Sequence, residues 1–348
     1  MKRVTMGHGA GGELMQELIS NHIVPFLPKF KTEVPLDSFD DSAVVDGVVF
    51  TTDAHTVKPL FFPGGDIGSI SICGTVNDIS VMGGEPLGIS SAMILEEGLE
   101  LDVLERVVKS MGETSKLAGV PVVTGDTKVM ESGAIEKMVI TTAAIGKRSK
   151  HMDHNYEVAS SSRKVDSKWL TDDNLREGDV VIVSGNVGDH GISLLSFREG
   201  YGFESQVKSD VAPLNGLIAE VMKVGGAVCM KDPTRGGLAN AINEWSSKSN
   251  IGIELDEMSI PMCEAVKNAA EMLGLDPFTI GNEGKVIIGV VPEMAEDVLK
   301  VVRNHPYGKN AAIIGKAVKA TKHVVLRTEI GGKRILEPPV GDPVPRIC

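Results

Sequence analysis

Five aspartates stand out for chemistry because the chain around each is open and polar. Asp41, Asp53, Asp78, Asp126 and Asp232 fall at inferred strand ends and turns, most with glycine, threonine, serine or asparagine beside them. Mg²⁺ takes hard oxygen ligands and keeps water and substrate phosphates in its shell. Carboxylates on converging loops suit that need, although any one of them alone reads equally as a turn or helix cap. The densest pattern is Asp232-Pro233-Thr234-Arg235-Gly236-Gly237-Leu238. It sets a carboxylate, an arginine and paired glycines before an apolar helical stretch, where backbone N–H groups hold anions and Arg235 adds charge. A plain turn and cap is the competing reading. Residues 7–12 read Gly-His-Gly-Ala-Gly-Gly. That run is no stable helix or strand; it suits a loop laid over phosphates through Gly9, Gly11 and Gly12, or a mobile terminus. A Walker A pattern is absent, and the formal Gly-x-Gly-x-x-Gly spacing at residues 7–12 lacks a preceding strand.

The remaining candidates are single residues. Glu283, in Asn282-Glu283-Gly284-Lys285, is a general base only if burial raises its pKa; spacing alone reads it as a solvated turn carboxylate. His8, His55 and His190 read as polar-loop histidines without metal-ligand spacing. Cys73, Cys229 and Cys263 sit among apolar or small neighbours and read as buried, inert thiols. Without a Cys-x-x-Cys pair, neither a structural zinc nor an iron–sulfur cluster is expected. Cys348 differs because it ends the chain, after Pro338-Pro339, Pro343 and Pro345. Prolines at this density favour an extended backbone, which at ~3.1 Å per residue reaches roughly 34 Å over the last eleven residues. An inert tail is one reading. The other is an arm that carries a covalently attached group into a site and out again.

Strands are expected at 43–50 (broken by a turn at Asp46-Gly47), 119–124, 137–145, 179–183, 285–291, 311–317 and 322–327. Helices are expected after Gly12 and over 67–81, 101–117, 212–223, 237–248, 262–273 and 294–304. Gly125-Asp126-Thr127 is placed at the end of the 119–124 strand. The polar stretch 146–176 marks a domain boundary. The alternation favours two α/β or α+β domains, 1–155 and 156–330, followed by a flexible tail, 331–348. With 35 basic and 47 acidic side chains the 348-residue chain carries −12, and no cluster of Lys and Arg offers a nucleic-acid face. No apolar run is long enough for a membrane span and no signal peptide is apparent, so a cytoplasmic, two-domain protein is expected. The 39 glycines exceed the usual share and point to tight turns and backbone-lined sites.

The ending Pro345-Arg346-Ile347-Cys348 resembles that of the HypE family of hydrogenase maturation proteins. So do His8-Gly9-Ala10-Gly11-Gly12, Asp78-Ile79-Ser80-Val81-Met82-Gly83, Gly125-Asp126-Thr127-Lys128-Val129 and Asp232-Pro233-Thr234-Arg235-Gly236-Gly237. The likeness covers essentially the whole chain. The glycine motifs alone indicate only the wider PurM-like superfamily of aminoimidazole ribonucleotide synthase, selenophosphate synthetase and thiamine-monophosphate kinase. The resemblance implies a two-domain PurM-like fold whose N-terminal sheets pair in a homodimer, with ATP bound near the interface. It implies that HypF carbamoylates Cys348, that ATP-dependent dehydration turns the thiocarbamate into a thiocyanate, and that the cyano group passes to iron on a HypC–HypD complex. In this scheme Mg²⁺ sits among Asp41, Asp53, Asp78 and Asp126, with Asp232 assisting. Glu283 takes a proton from nitrogen, and Lys128 or Lys137 steadies oxygen or phosphate charge. A small-molecule kinase or synthetase of the same superfamily and a non-enzymatic maturation scaffold remain as alternatives.

Overall fold

The structure is a computed structural model that describes residues 3–9, 11–201, 207–341, 343–344 and 346–348. Met6–Gly9 make one 3₁₀ turn inside the glycine run expected to lack helix, and helix α1 (Glu13–His22) follows. Strands β1 (Ala43–Val45) and β2 (Val48–His55) form a hairpin. Asp46 and Gly47 both take positive φ at its turn, the geometry that two-residue hairpins demand. A short hairpin of β3 (Phe61–Phe62) and β4 (Gly65–Asp66) leads into helix α2 (Ile67–Val81). A capping box starts α2: the Asp66 carboxylate accepts from the Ser69 N–H and the Ser69 hydroxyl from the Asp66 N–H, both at 2.9 Å. The helix is apolar nearly all round and is buried accordingly.

Strand β5 (Gly84–Glu96), helix α3 (Leu101–Ala118), strand β6 (Val122–Met130) and strand β7 (Met138–Arg148) complete a sheet of order β1-β2-β7-β5-β6. Only β5 and β6 run parallel. Gly125-Asp126-Thr127 therefore lie inside β6 and not at a strand end. Glycine normally weakens a strand. Here Gly125 sits opposite Ser91, whose carbonyl oxygen would lie 2.3 Å from an added Cβ, so the pairing itself requires glycine. Helix α2 covers one face of the sheet. On the other, Val45, Val48, Phe50, Val123, Val129 and Ile145 are 46–67% exposed in the single chain.

Helix α4 (Met152–Ser162) occupies part of the stretch read as boundary. Beyond it come strand β8 (Val180–Val183), helices α5 (Asp189–Glu199) and α6 (Asn215–Val224), strand β9 (Ala227–Lys231) and helix α7 (Gly237–Ser249). Strand β10 (Gly252–Asp256), helix α8 (Glu264–Leu273), strand β11 (Ile287–Val290), helix α9 (Ala295–Asn304) and strands β12 (Ala312–Val318), β13 (Val324–Arg327) and β14 (Lys333–Ile335) follow. The second sheet has the order β14-β13-β10-β12-β8-β11-β9. Leu217, Val221, Val298 and Val302 of α6 and α9 pack in one core with Ile182 and Ile288 of its strands. Leu238, Ile242 and Trp245 of α7 pack in the other with Val183 and Ile287. Among the described residues no helix is long and apolar enough to cross a membrane.

The tail departs from its expected form. Residues 333–335 belong to the second sheet and Leu336 is fully buried, so the segment outside both sheets begins only after them. Its last residues lie along residues 56–58. The Thr56 N–H donates to a terminal oxygen of Cys348 at 3.0 Å and the Lys58 N–H to the Arg346 carbonyl at 3.1 Å, an antiparallel pattern. Val344 and Ile347 are buried beneath it.

Candidate active site between the domains

A cavity of about 430 Å³ lies between the two domains. The N-terminal domain lines it with Asp41, Asp53 and Asp78, and the C-terminal domain with Lys231, Asp232 and Arg235. Local structure fixes each carboxylate. Asp53 lies in β2 and accepts from the Thr75 hydroxyl at 2.9 Å. Asp78, near the end of α2, accepts from the Thr51 hydroxyl at 2.8 Å. Asp232 is the first residue after β9.

These carboxylates are crowded and poorly compensated. Burial, followed by repulsion from Asp53, Asp232 and Asp41, pushes Asp78 well above the usual carboxylate range. Burial also lifts Asp232 to about 6, with Asp53 adding to the rise and Lys231 opposing it. Asp41 is raised well above its ordinary value, again chiefly by burial. Its Oδ2 is buried without a hydrogen-bond partner. A cation between these groups would relieve both the repulsion and the orphaned oxygen, so the donor set fits Mg²⁺. Among the described residues, however, no three acidic, histidine or cysteine side chains are grouped closely enough to hold a metal unaided. That suits an ion completed by phosphate oxygens and water.

Lys231 is the main residue that sequence reading missed. It is buried, and its Nζ lies 2.6 Å from Asp41, 3.1 Å from Glu244 and 3.2 Å from Asp172. Burial works against its charge, but Asp172, Asp41 and Glu244 outweigh burial and hold the ammonium protonated. Asp172 also bonds Lys248 at 2.6 Å and the Trp245 indole N–H at 2.8 Å, so it is better served than Asp41. One cue was present: a lysine closing the otherwise apolar strand Ala227–Lys231, directly before Asp232.

Arg235 also lines a second cavity, of about 310 Å³, with Cys348, Thr56, His8 and Gly9. Cys348 is half-buried there, and the charge at Cys348 is the first cause of the raised Arg235 pKa. Gly11 and Gly12 fit this region for steric reasons. A Cβ on Gly11 would lie 2.5 Å from Arg235 Cβ, and one on Gly12 would lie 2.0 Å from the Pro339 carbonyl oxygen. The N-terminal loop therefore packs backbone-to-backbone on the arginine loop and the tail.

Glu283 is 3% exposed, which overturns its reading as a solvated turn carboxylate. The Asn282 N–H donates to Pro233 at 2.9 Å, which ties this loop to the Asp232–Arg235 loop. Burial, then Asp232 and Asp210, push Glu283 far up, and its Oε1 has no hydrogen-bond partner. It is a buried carboxyl poised to exchange a proton with something brought to it. Two histidines are also corrected. His55 is a buried residue of β2 beside Thr142. His190 is fully buried in α5, and its Nε2 lies 2.8 Å from the Ile347 carbonyl oxygen. Cys73 and Cys229 are buried, whereas Cys263 is only half-buried.

Four candidates stand apart. Gly125, Asp126 and Lys128 lie on the exposed edge strand β6, where Asp126 and Lys128 approach to 3.8 Å with 66% and 72% exposure. Lys137 is exposed in the turn before β7. None of them lines either cavity.

Known proteins give this geometry its context. The family of AIR synthase related proteins matches through its N-terminal domain over residues 39–147 and its C-terminal domain over 176–327. A hydrogenase expression/formation protein of Methanocaldococcus jannaschii is 48% identical over 99% of this chain and 100% of its own. The carbamoyl dehydratase HypE of Rhizobium leguminosarum bv. viciae is 43% identical over 99% of this chain and 95% of its own. Among solved structures, a HypE–HypF complex aligns with TM-score 0.83 at 40% identity, covering 94% of this chain and 100% of the other. HypE in complex with ATP aligns with TM-score 0.79 at 39% identity, covering 99% and 100%.

Proposed function

Because the chain belongs to the HypE family of hydrogenase maturation proteins within the PurM-like superfamily, we propose that it is an ATP-dependent carbamoyl dehydratase whose substrate is its own C-terminus. The reaction converts an S-carbamoyl group on Cys348 into a thiocyanate. The observation that carries this reading is the docked tail. It sets Cys348 in a cavity lined by Arg235, which also lines the carboxylate cavity, with Glu283 buried in the adjoining loop.

The amide oxygen is a poor leaving group, and phosphorylation makes it a good one. The carbamoyl oxygen bonds to the γ-phosphorus of ATP, the bond from that phosphorus to the β,γ-bridging oxygen breaks, and ADP leaves. The nitrogen then gives up both protons, its electrons form the C≡N bond, and the C–O bond to phosphate breaks. Thiocarbamate and ATP yield thiocyanate, ADP, hydrogen phosphate and one proton, and no bond to sulfur changes. Glu283 takes one of the two nitrogen protons and later releases it, and the departing phosphate takes the other to leave as hydrogen phosphate. In the empty site burial, followed by the charges of Asp232 and Asp210, keeps Glu283 protonated; neutralising Asp232 and Asp53 removes part of that cost and shifts Glu283 towards the ionised base. Asp41, Asp53, Asp78 and Asp232 would hold Mg²⁺, which when bound supplies neutralisation of the transferring phosphoryl charge. Arg235 and the backbone of Gly9, Gly11 and Gly12 wall the site and exclude water, which competes for that group.

HypF supplies the carbamoyl group, a role supported by the solved HypE–HypF complex. A HypC–HypD complex receives the cyano group at iron. The exposed apolar face of the first sheet is covered by a second copy of the chain. Such a homodimer would bring the β6 edge, with Gly125, Asp126 and Lys128, towards a neighbouring site, and either Lys128 or Lys137 then steadies oxygen or phosphate charge. A small-molecule kinase would leave the docked tail without a role. Intact-protein mass spectrometry decides the matter. After treatment with HypF, carbamoyl phosphate and ATP, the chain should gain one carbamoyl group on Cys348, and the mass should then fall by one water in a step needing ATP and Mg²⁺. A carbamoyl mass that persists with ATP and Mg²⁺ present overturns the reading. Cys348→Ala should lose both mass changes and keep its ATP affinity.

A further inference from the structure

The tail reaches the site by its backbone. Carbonyl oxygens of Arg346 and Ile347 and a terminal oxygen of Cys348 accept from Lys58, His190 and Thr56. Two of these donors are main-chain N–H groups of one extended segment. An antiparallel pairing of that kind tolerates slippage unless something pins its register. Arg346 adds side-chain bonds to the Thr56 carbonyl at 3.0 Å and to Glu136 at 2.6 Å, but Glu136 is surface-exposed and also pairs with Lys58. His190 is different. It is fully buried, it comes from the C-terminal domain, and it holds the carbonyl directly before Cys348.

Its chemistry is set by its two partners. A carbonyl only accepts, so Nε2 carries the hydrogen. Burial keeps the ring neutral, against the nearby charge of Asp210. Nδ1 is therefore the acceptor of a 2.7 Å hydrogen bond donated by the Ser209 hydroxyl. Ser209 is anchored in turn, its N–H donating to the Pro63 carbonyl at 2.8 Å. The next residue, Asp210, accepts from the Glu283 N–H at 3.1 Å and from Asn282 at 2.9 Å. Adjacent residues thus fix the ring that holds the tail and the loop that carries the base.

We propose that His190, oriented by Ser209, is a positioning residue for the dehydration: by holding the Ile347 carbonyl it sets the tail's register and so the point at which the group on Cys348 meets Glu283. This rests on the dehydratase reading. Because the bond is made to backbone, it is indifferent to whether the sulfur carries a proton, a carbamoyl or a cyano group, and the same latch serves every state of the terminus.

The test uses the full-length chain and His190→Ala, His190→Gln and Ser209→Ala. The first readout is the rate at which iodoacetamide alkylates Cys348, followed on the C-terminal peptide. Loss of one buried hydrogen bond should raise that rate about fivefold in H190A. H190Q, whose amide can donate to the same carbonyl, should return to within about twofold of wild type. The second is single-turnover dehydration of the carbamoylated chain. It should slow about 10- to 100-fold in H190A, the cost of a misplaced reacting group, with ATP affinity unchanged. S209A should fall between the two. The third is ¹⁵N NMR of the His190 ring, which should report the Nε2–H tautomer and shift when residues 345–348 are removed. Wild-type alkylation and turnover in H190A overturn the proposal. So does a parallel loss of ATP affinity and melting temperature that H190Q fails to restore, because the ring would then serve the fold alone. If the wild-type chain itself never dehydrates, the dehydratase reading fails, while the alkylation and NMR readouts still judge the latch.

Discussion

Two buried acidic clusters flank the loops of the site, and they are built on opposite principles. Around Asp210 every charge is answered. Its carboxylate accepts from Lys285 and Asn282, each at 2.9 Å, and from the Glu283 N–H at 3.1 Å. Burial alone would raise its pKa, but the Lys285 ammonium and the Asn282 amide more than compensate and leave it lowered. Around Asp41, Asp78 and Asp232 the same burial is not answered. All three are pushed up, and one oxygen of Asp41 has no partner. Lys231 is shared among Asp41, Asp172 and Glu244, and of these three Lys248 adds a second cation only to Asp172. A satisfied cluster stabilises the fold, whereas an unsatisfied one stores electrostatic cost that a cationic, phosphate-bearing ligand can release.

Glu283 belongs functionally to the second cluster and is held by the first, so substitutions there separate the two. Glu283→Gln should cut the dehydration rate about 10³-fold, the usual scale for losing a general base. Because the glutamate is already driven towards its neutral form, glutamine should leave the urea midpoint near wild type. A variant that keeps a tenth or more of wild-type activity would remove Glu283 from the mechanism. Lys285→Met should do the reverse. Stranding the buried Asp210 charge should cost about 3–5 kcal/mol by urea denaturation. A loss below about 1 kcal/mol would show that the cluster is no scaffold at all.

Ligand binding should act on the unsatisfied cluster alone. ATP with Mg²⁺ at about a hundred times its dissociation constant should stabilise the chain by about 2.7 kcal/mol. A chelator should remove most of that gain. Asp78→Asn should melt at or above wild type without ligand, since it deletes repulsion, yet lose more than half of the Mg²⁺-dependent increment. An unchanged increment in thermal shift would exclude Asp78 from the ion's shell.

What was legible in the sequence follows the same division. Periodic elements were readable: α3 and α6 to α9 fall where the pattern put them, and α2 where its small residues permit close packing. β5 was not, because Gly84, Gly88, Ser90 and Ser91 break the alternation of apolar residues that marks a strand. α5 was hidden because its glycine, histidine and serines carry no amphipathic stripe, yet it is mostly buried. Asp53, Asp78, Asp232 and Arg235 could be singled out because threonine, asparagine, serine or glycine stands near them in the chain. Lys231, Asp172 and Asp210 could not, since what makes them important is a partner 59 to 190 positions away in the chain. Glu283 was singled out but judged exposed, because burial of a polar turn is decided by the loops packed on it.

Asp189 tests the boundary between the clusters by pH. It opens α5, accepts from the Cys263 thiol at 3.5 Å and is pushed to about 6, first by burial and then by the charge of Asp210. Its folded form therefore holds a proton that the unfolded chain, with an ordinary aspartate near 3.9, has already lost. By linkage, the stability that depends on this proton is complete below about pH 4 and disappears as pH rises through about 6. Asp189→Asn keeps the shape of the neutral acid and cannot ionise. It should match wild type near pH 4 and exceed it at pH 7 by about 1–2 kcal/mol, the shift being discounted for the partial exposure of the group. Equal melting curves at both pH values would mean that Asp189 is compensated like Asp210, and the unsatisfied region would then end at Asp232 and Glu283.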